Sequence, residues 1–166
     1  MKKLFLVAIA TCGFAFSGIA QDGKFKLGVD AGIPLGDIKD SASFNLGVNA
    51  AYTWNVGEGF DAGLGVSYNT YFAKEYDLPG GGTFKPDNAN FLPIYGTANY
   101  GFTENIFVGA DLGYAIGLTD GIDGGFYYQP KVGYQAEMYE VFVGYKGISV
   151  DGGTYSSVNL GFNYKF

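Results

Sequence analysis

The ionisable side chains of the chain are few, and most of them recur at alternate positions of apolar segments. Paired carboxylates could perform acid–base chemistry, and the candidates are Asp30, Asp61, Asp111 and Glu140. The same faces of these segments carry five lysines, namely Lys24, Lys26, Lys131, Lys146 and Lys165. Charges that face a confined interior are expected to pair. We therefore interpret these residues as an internal charge network rather than as a catalytic site.

Other kinds of chemistry have little support in the sequence. There is no His, which excludes nucleophilic sites that depend on an imidazole base. Asp120, Asp123 and Asp151 each precede a glycine but lack the spacing of a calcium loop. The net charge of −6 leaves no basic patch for nucleic acid. We expect no enzyme activity, no metal, no cofactor and no nucleic-acid partner.

The first 20 residues have the pattern of an export signal. Lys2 and Lys3 precede an apolar run over residues 4–16, and small residues lead to Gln21. The run is too short to span a bilayer comfortably, and Thr11 before Cys12 does not fit a lipoprotein signal. We predict a signal peptide over residues 1–20 and one domain over residues 21–166. Cleavage would remove the only Cys and take the net charge from −6 to −8.

The rest of the chain alternates apolar and non-apolar residues with a period of two, which is typical of β-strands. Eight segments follow this pattern: 24–33, 43–54, 60–69, 92–102, 106–116, 126–135, 139–146 and 157–166. Their apolar faces carry Leu, Val, Ile and aromatic residues, and their other faces carry mostly Gly, Ser, Asn and Thr. Soluble sandwiches and lipocalin-like barrels also alternate, but their polar faces meet water and are usually rich in Lys and Glu. The pattern favours an all-β fold, an eight-stranded antiparallel up-and-down transmembrane β-barrel.

The connections between these segments alternate in length. Long ones are predicted over 34–42, 73–89, 118–125 and 148–155, and short ones over 56–59, 103–105 and near 137–138. Long outer loops and short periplasmic turns are typical of outer-membrane barrels. Pro93 and Pro130 fall inside predicted strands, where Pro removes a hydrogen-bond donor. We expect both to lie near the external ends, where a strand can extend beyond its neighbours.

Aromatic residues cluster at the ends of the predicted strands, whereas Leu, Val, Ala and Gly occupy the middles. Rings with an apolar body and a polar tip favour the headgroup region of a membrane. The predicted aromatic girdle includes Trp54, Tyr100, Phe102, Tyr114, Tyr128 and Tyr145.

Three segments carry a resemblance to a known family: residues 92–102 (LPIYGTANYGF), 124–130 (GGFYYQP) and 159–166 (NLGFNYKF). Over residues 21–166 the chain resembles the small eight-stranded outer-membrane barrels of the OmpA/OmpX type. The resemblance implies a monomer in the outer membrane of a Gram-negative bacterium, in contact with lipid and lipopolysaccharide. It also implies delivery by periplasmic chaperones to the barrel assembly machinery. The assembly signal would consist of Asn159, Gly161, Phe162, Tyr164 and Phe166.

An eight-stranded barrel encloses an interior that side chains can fill. We expect Tyr95, Phe107, Tyr127, Gln129 and the charges to fill it. The leading hypothesis is a non-enzymatic barrel with a structural or surface-interaction role, whose outer loops, chiefly 73–89, contact partners. We expect no peptidoglycan-binding domain after the last strand. Two alternatives remain: a narrow small-conductance channel, and a soluble lipocalin-like barrel that binds an apolar ligand.

Overall fold

A computed structural model describes residues 23–77 and 81–166 of the chain. The signal peptide predicted over residues 1–20 lies outside the described residues. Within the described part of the chain, no helix combines the length and the apolar character needed to cross a bilayer.

Eight long antiparallel strands close into a barrel. They are β1 (Gly23–Leu35), β2 (Ala42–Gly57), β3 (Phe60–Ala73), β6 (Ala89–Gly101), β7 (Ile106–Gly117), β8 (Gly125–Gln135), β9 (Tyr139–Val150) and β10 (Gly153–Lys165). Each strand pairs with its sequence neighbours in the barrel, and β1 pairs with β10 to close it. The eight-stranded antiparallel up-and-down barrel predicted from the sequence is confirmed. Two further strands, β4 (Tyr76–Asp77) and β5 (Thr83–Phe84), form a small hairpin in the loop between β3 and β6.

The faces of the strands follow the period-two pattern. On β1, Leu27 and Val29 point outward and are exposed, whereas Lys26 and Asp30 point inward and are buried. The register carries this arrangement across neighbours, because Val29 pairs with Val48 of β2. The apolar face is therefore the outside of the barrel, and the charged face is its inside.

The two ends of the barrel differ. At one end, called here the turn end, short connections over 58–59, 102–105 and 136–138 join the strands. The first strand, β1, begins at this end, and the last strand, β10, ends there. At the other, the loop end, longer connections span 36–41, 74–88 and 118–124. A one-turn 3₁₀ helix (Gly36–Ile38) lies in the first of these loops.

The prediction of a fourth long loop over 148–155 is wrong. The strands β9 and β10 continue to a two-residue turn at Asp151–Gly152, and Tyr155 pairs with Ile148. Gly152 has φ 93°, a conformation that glycine adopts without strain. The strands extend because Ile148 is fully buried and Tyr155 packs beside it, so that the hairpin gains apolar contacts inside the barrel.

The prolines do not lie where strands extend beyond their neighbours, so that expectation is also wrong. Pro93 pairs with Ala115 of β7, and Pro130 pairs with Ala110 of the same strand. Pro93 interrupts the pairing of β6 with β3, and Pro130 interrupts the pairing of β8 with β9. Beyond each proline the pairing resumes in the same register. Because the missing N–H would serve one neighbour only, the barrel accommodates both residues at a local cost.

Inward-facing glycines leave room for large inward side chains on the next strand. Gly65 lies opposite Tyr95, and a Cβ at Gly65 would come within 2.5 Å of the Tyr95 ring. Gly161 lies opposite Phe142, and a Cβ there would come within 2.2 Å of that ring. The small residues of the inward face are therefore needed for close packing inside the barrel.

Candidate functional site: the barrel interior

Aromatic and aliphatic side chains close the interior at the loop end. This apolar plug consists of Tyr71, Phe91, Tyr95, Tyr127 and Ile148, with Ala42, Ala89 and Ala115 among them. Its members are almost completely buried. The Phe91 and Tyr155 rings meet at 4.9 Å between centroids, and Tyr71 and Phe91 meet edge to face at 6.3 Å. Rings in this geometry attract one another beyond the effect of their buried area.

Sequence reasoning anticipated Tyr95 and Tyr127 in the interior but missed Tyr71, Phe91 and Ile148. The alternation of side chains along β3 could have identified Tyr71, because it continues the inward series of Ser67 and Asn69. On the inward face the residues change there from small and polar to apolar. That change conceals the continuing strand.

A buried network around Lys146 occupies the interior next to the plug. The Lys146 ammonium lies 2.6 Å from Asp30 Oδ1 and also donates to the side-chain oxygens of Asn69 and Asn45. The Asn159 amide donates to Asp30 Oδ1 at 2.5 Å and to Asn45 Oδ1 at 2.7 Å. These five side chains come from five strands, so the network ties most of the barrel circumference together.

A second buried ion pair joins β7 and β8. Lys131 Nζ lies 2.6 Å and 2.8 Å from the two oxygens of Asp111, and it also donates to Thr97 at 3.4 Å. The ammonium lies 5.5 Å from the centre of the Phe142 ring. Both charges are therefore compensated within a low-dielectric interior.

A third group of charges lies closer to the turn end. Glu140 Oε1 lies 2.5 Å from Lys26 Nζ and 3.8 Å from Lys165 Nζ. Asn163 donates to the other oxygen of Glu140 at 3.3 Å. One carboxylate thus serves two lysines that face each other directly across the β1–β10 pair.

Lys24 and Asp61 lie apart from these buried groups. Both border a cavity of about 510 Å³ that opens at the turn end, called here the vestibule. Asp61 accepts a hydrogen bond from Asn55 at 3.2 Å, and Lys24 is exposed. Within the described residues neither joins an ion pair. Seven of the nine predicted network residues are thus brought together in ion pairs, and these two are not.

The ion pairs between lysines and carboxylates restrict the chemistry that this interior could perform. Asp30, Asp111 and Glu140 each form an ion pair with a lysine, so none of them is an unpaired acid or base. Between the networks lies a cavity of about 20 Å³, too small for an organic substrate. No cluster of three metal-ligating side chains occurs within 23–77 and 81–166. Phe107 and Gln129 are buried and fill further interior space.

The residues predicted as an aromatic girdle lie on the outer surface. Trp54 and Tyr100 lie near the turn ends of β2 and β6, and Phe102 follows β6 directly. The Tyr100 and Phe102 rings meet edge to face at 5.4 Å. Tyr128 and Tyr145 lie side by side on β8 and β9, with 6.1 Å between ring centres. Tyr114, in β7, is also exposed.

The predicted assembly signal is divided between the two faces of β10. Asn159 and Gly161 face inward, whereas Phe162, Tyr164 and Phe166 face outward. Phe162 stacks with Tyr139 at 6.1 Å, and Tyr164 meets Phe166 at 4.8 Å. The Phe166 N–H donates to the Phe25 carbonyl at 2.8 Å, which ties the last residue to β1.

The similarities between this chain and known proteins are similarities of fold. No protein-family model and no curated protein sequence matches the chain. The outer membrane protein Ail of Yersinia pestis has 11% identity and a TM-score of 0.60, over 87% of this chain and 99% of that one. A designed transmembrane β-barrel has 13% identity and a TM-score of 0.54, over 88% and 98%. The N-terminal barrel of Pseudomonas aeruginosa OprF has 14% identity and a TM-score of 0.51, over 86% and 97%. Together with the closed ring of eight strands, these similarities show that the chain has the fold of the small outer-membrane β-barrels.

Proposed function

We propose that this protein is a non-enzymatic integral barrel of the Gram-negative outer membrane with a structural or surface-interaction role. One observation carries the proposal: large apolar side chains are exposed on the outside of all eight strands, while the buried charges lie within. Leu64, for example, is 63% exposed. An apolar surface of this extent calls for lipid or a partner. A polar interior inside an apolar belt is typical of barrels that face lipid.

The soluble alternative requires the opposite arrangement. A lipocalin-like barrel holds its ligand in an apolar interior and presents polar side chains to water. Here the middle of the interior holds Lys26, Lys131 and Lys146 with their carboxylates. The interior cavity of about 20 Å³ would not admit an apolar ligand. Both features argue against that alternative.

The channel alternative meets an obstacle at the loop end. The vestibule opens at the turn end, but the apolar plug lies between the buried charges and the loops. An ion would have to pass between closely packed rings, and the Tyr71 and Tyr127 hydroxyls among them are already hydrogen-bonded to Ser157 and Gln129, so its passage is costly. The proposal is therefore a barrel with a filled interior.

The loops would form the partner-facing surface. The largest, over 74–88, carries the β4–β5 hairpin with the exposed rings of Tyr76 and Phe84. The turn end would face the periplasm, and the loop end would face lipopolysaccharide and external partners. Biogenesis would use periplasmic chaperones and the assembly machinery, with the last segment of β10 as the signal, and the barrel would function as a monomer.

A charge substitution distinguishes lipid from water outside the barrel. Leu64→Lys in a lipid-facing barrel should cost about 2–4 kcal/mol of unfolding free energy in vesicles. Phe84→Lys, in the loop hairpin where Phe84 is 56% exposed, should change it by about 0.5 kcal/mol or less. Equal, small effects of the two substitutions would refute membrane insertion.

Two further measurements test the rest of the proposal. The folded barrel should fractionate with outer membranes and migrate differently on gels before and after boiling. Recovery in the soluble periplasm without a mobility shift would contradict it. Planar-bilayer recording of refolded protein should give no steady single-channel steps, and regular steps would favour the channel.

A further inference from the structure

Lys165 is a buried cation whose ammonium group makes no hydrogen bond among the described residues. The residue is 8% exposed and lines the vestibule at the turn end. The Glu140 Oε1 oxygen, with which it forms an ion pair, lies 3.8 Å away and already accepts a hydrogen bond from Lys26 at 2.5 Å. One carboxylate therefore compensates two buried ammonium groups. A buried charge without a bonded partner is costly, so the Lys165 ammonium indicates an anionic ligand in the vestibule.

A second lysine lies beside Lys165 on the same side of the vestibule. Lys165 pairs directly with Lys26 across β10 and β1. Lys24, two residues away on β1, is therefore its diagonal neighbour on the inward face, about 7–8 Å away. Lys24 also lines the vestibule, is exposed, and joins no ion pair in the described part of the chain. An anion between the two ammonium groups would be attracted by both. We call these two lysines the cationic wall.

The opposite side of the vestibule carries the reverse charge. Glu104 belongs to the connection 102–105 between β6 and β7, the strands that lie across the ring from β1 and β10. Asp61 of β3 and Glu137 of the connection 136–138 line the vestibule on either side of it. We call these three carboxylates the acidic wall. None of them pairs with a lysine within 23–77 and 81–166, so the two kinds of charge are separated across the vestibule.

The separated charges and the size of the vestibule restrict the class of ligand. The volume of about 510 Å³ lies within the roughly 300–1,000 Å³ of small-molecule sites. An inorganic anion would compensate the cationic wall only, and a simple cation would compensate the acidic wall only. A zwitterion compensates both walls. The amide side chains of Asn55 and Gln135, which also line the vestibule, can bond to peptide groups between the two charges.

We propose that the vestibule is a binding site for a short zwitterionic peptide. Its carboxylate lies between Lys24 and Lys165, and its ammonium group faces Glu104. The ligand enters from the open turn end, which is the periplasmic side under the proposed function. Because the apolar plug closes the far end of the interior, the barrel binds this ligand without passing it through.

Three probes of equal length separate the two charges of the ligand. Trialanine is zwitterionic, N-acetyl-trialanine keeps only the carboxylate, and trialanine amide keeps only the ammonium group. In NMR titrations of detergent-solubilised barrel, trialanine should shift the side-chain amide signals of Asn55 and Gln135. Each blocked peptide should bind about tenfold more weakly or worse, because one charge-assisted contact is lost. Absence of trialanine binding would overturn the proposal. Equally tight binding of N-acetyl-trialanine or inorganic phosphate would also overturn it, because the vestibule would then be a simple anion site.

Substitutions in each wall test the placement of the two charges. Lys165→Gln should weaken trialanine binding about tenfold or more, since a buried charged donor is removed. Lys24→Gln should weaken it about two- to fivefold, as is typical of an exposed charge. Glu104→Gln should weaken the binding of trialanine but not that of N-acetyl-trialanine, which has no ammonium group. Lys39→Gln, at an exposed loop-end lysine, is the matched control and should leave binding unchanged.

The stability of the variants completes the test. Lys165→Gln leaves the ion pair of Lys26 and Glu140 intact and removes a like charge beside it, so the urea midpoint in vesicles should not fall. A fall would show that Lys165 already has its partner inside the barrel and would overturn the proposal. Glu104 lies in an exposed turn, so its substitution tests the acidic wall independently of the buried lysine. Undiminished trialanine binding in either folded variant would overturn the proposal. Since binding is measured in detergent, such a failure is distinct from a failure of membrane insertion.

Discussion

The ion pair of Asp30 and Lys146 gives the sharpest test of how the interior holds this barrel together. Lys146 is 1% exposed and Asp30 is 6% exposed, so neither charge has water to replace its partner. At 2.6 Å and an effective dielectric constant of about 20, their attraction is about 6 kcal/mol before desolvation is subtracted. Removal of one member of such a pair typically costs about 3–5 kcal/mol, because a buried charge is left alone.

Asp30→Asn keeps the shape of the side chain and removes the charge, so it should cost about 3–5 kcal/mol of unfolding free energy. Lys146→Met should cost a similar amount, because Asp30 then keeps only its bond from Asn159. The double variant should cost less than the sum of the single variants by about 2 kcal/mol or more. Asp37→Asn, an exposed carboxylate at the loop end, is the control and should cost below about 1 kcal/mol.

The assay is urea unfolding in lipid vesicles, followed by the fluorescence of Trp54, the only Trp in the chain. The slope of free energy against urea should stay constant across the series, which keeps the comparison within one two-state transition. Strict additivity of the two single variants, or single effects no larger than that of the Asp37 control, would refute the reasoning. The interior charges would then be incidental to stability.

Three further predictions follow from the interior and from the closure of the barrel. Glu140→Gln should destabilise the barrel by about 3 kcal/mol or more in the same assay, since two buried lysines lose their shared carboxylate; a neutral result would contradict the pairing. Gly161→Ala should cost about 1–3 kcal/mol through collision with Phe142, whereas Gly96→Ala, whose Cβ meets only backbone oxygens at 3.9 Å, should be tolerated; equal costs would refute the packing argument. Deletion of Phe166 should reduce the amount of heat-modifiable barrel in outer membranes, since its N–H bond to β1 and the proposed assembly signal are lost together; unchanged assembly would contradict that role.

The sequence by itself determined the class of fold and the orientation of each strand. Side chains alternate across a strand whatever its neighbours are, so the period-two pattern separated Leu27 and Val29 from Lys26 and Asp30 without knowledge of the register. Turn lengths and the number of segments then restricted the closure to an up-and-down barrel. The inward placement of most charges followed from the same parity.

Only the tertiary structure decided which charges meet and where the interior is closed. Lys26 and Glu140 are 114 residues apart in sequence, and their contact depends on the order of strands around the ring and the register between β9, β10 and β1. Register and closure are set by all eight strands together, so no local pattern contains them. The same holds for the apolar plug, because Tyr71 and Tyr155 become neighbours only when the barrel closes and brings their strand ends across the interior.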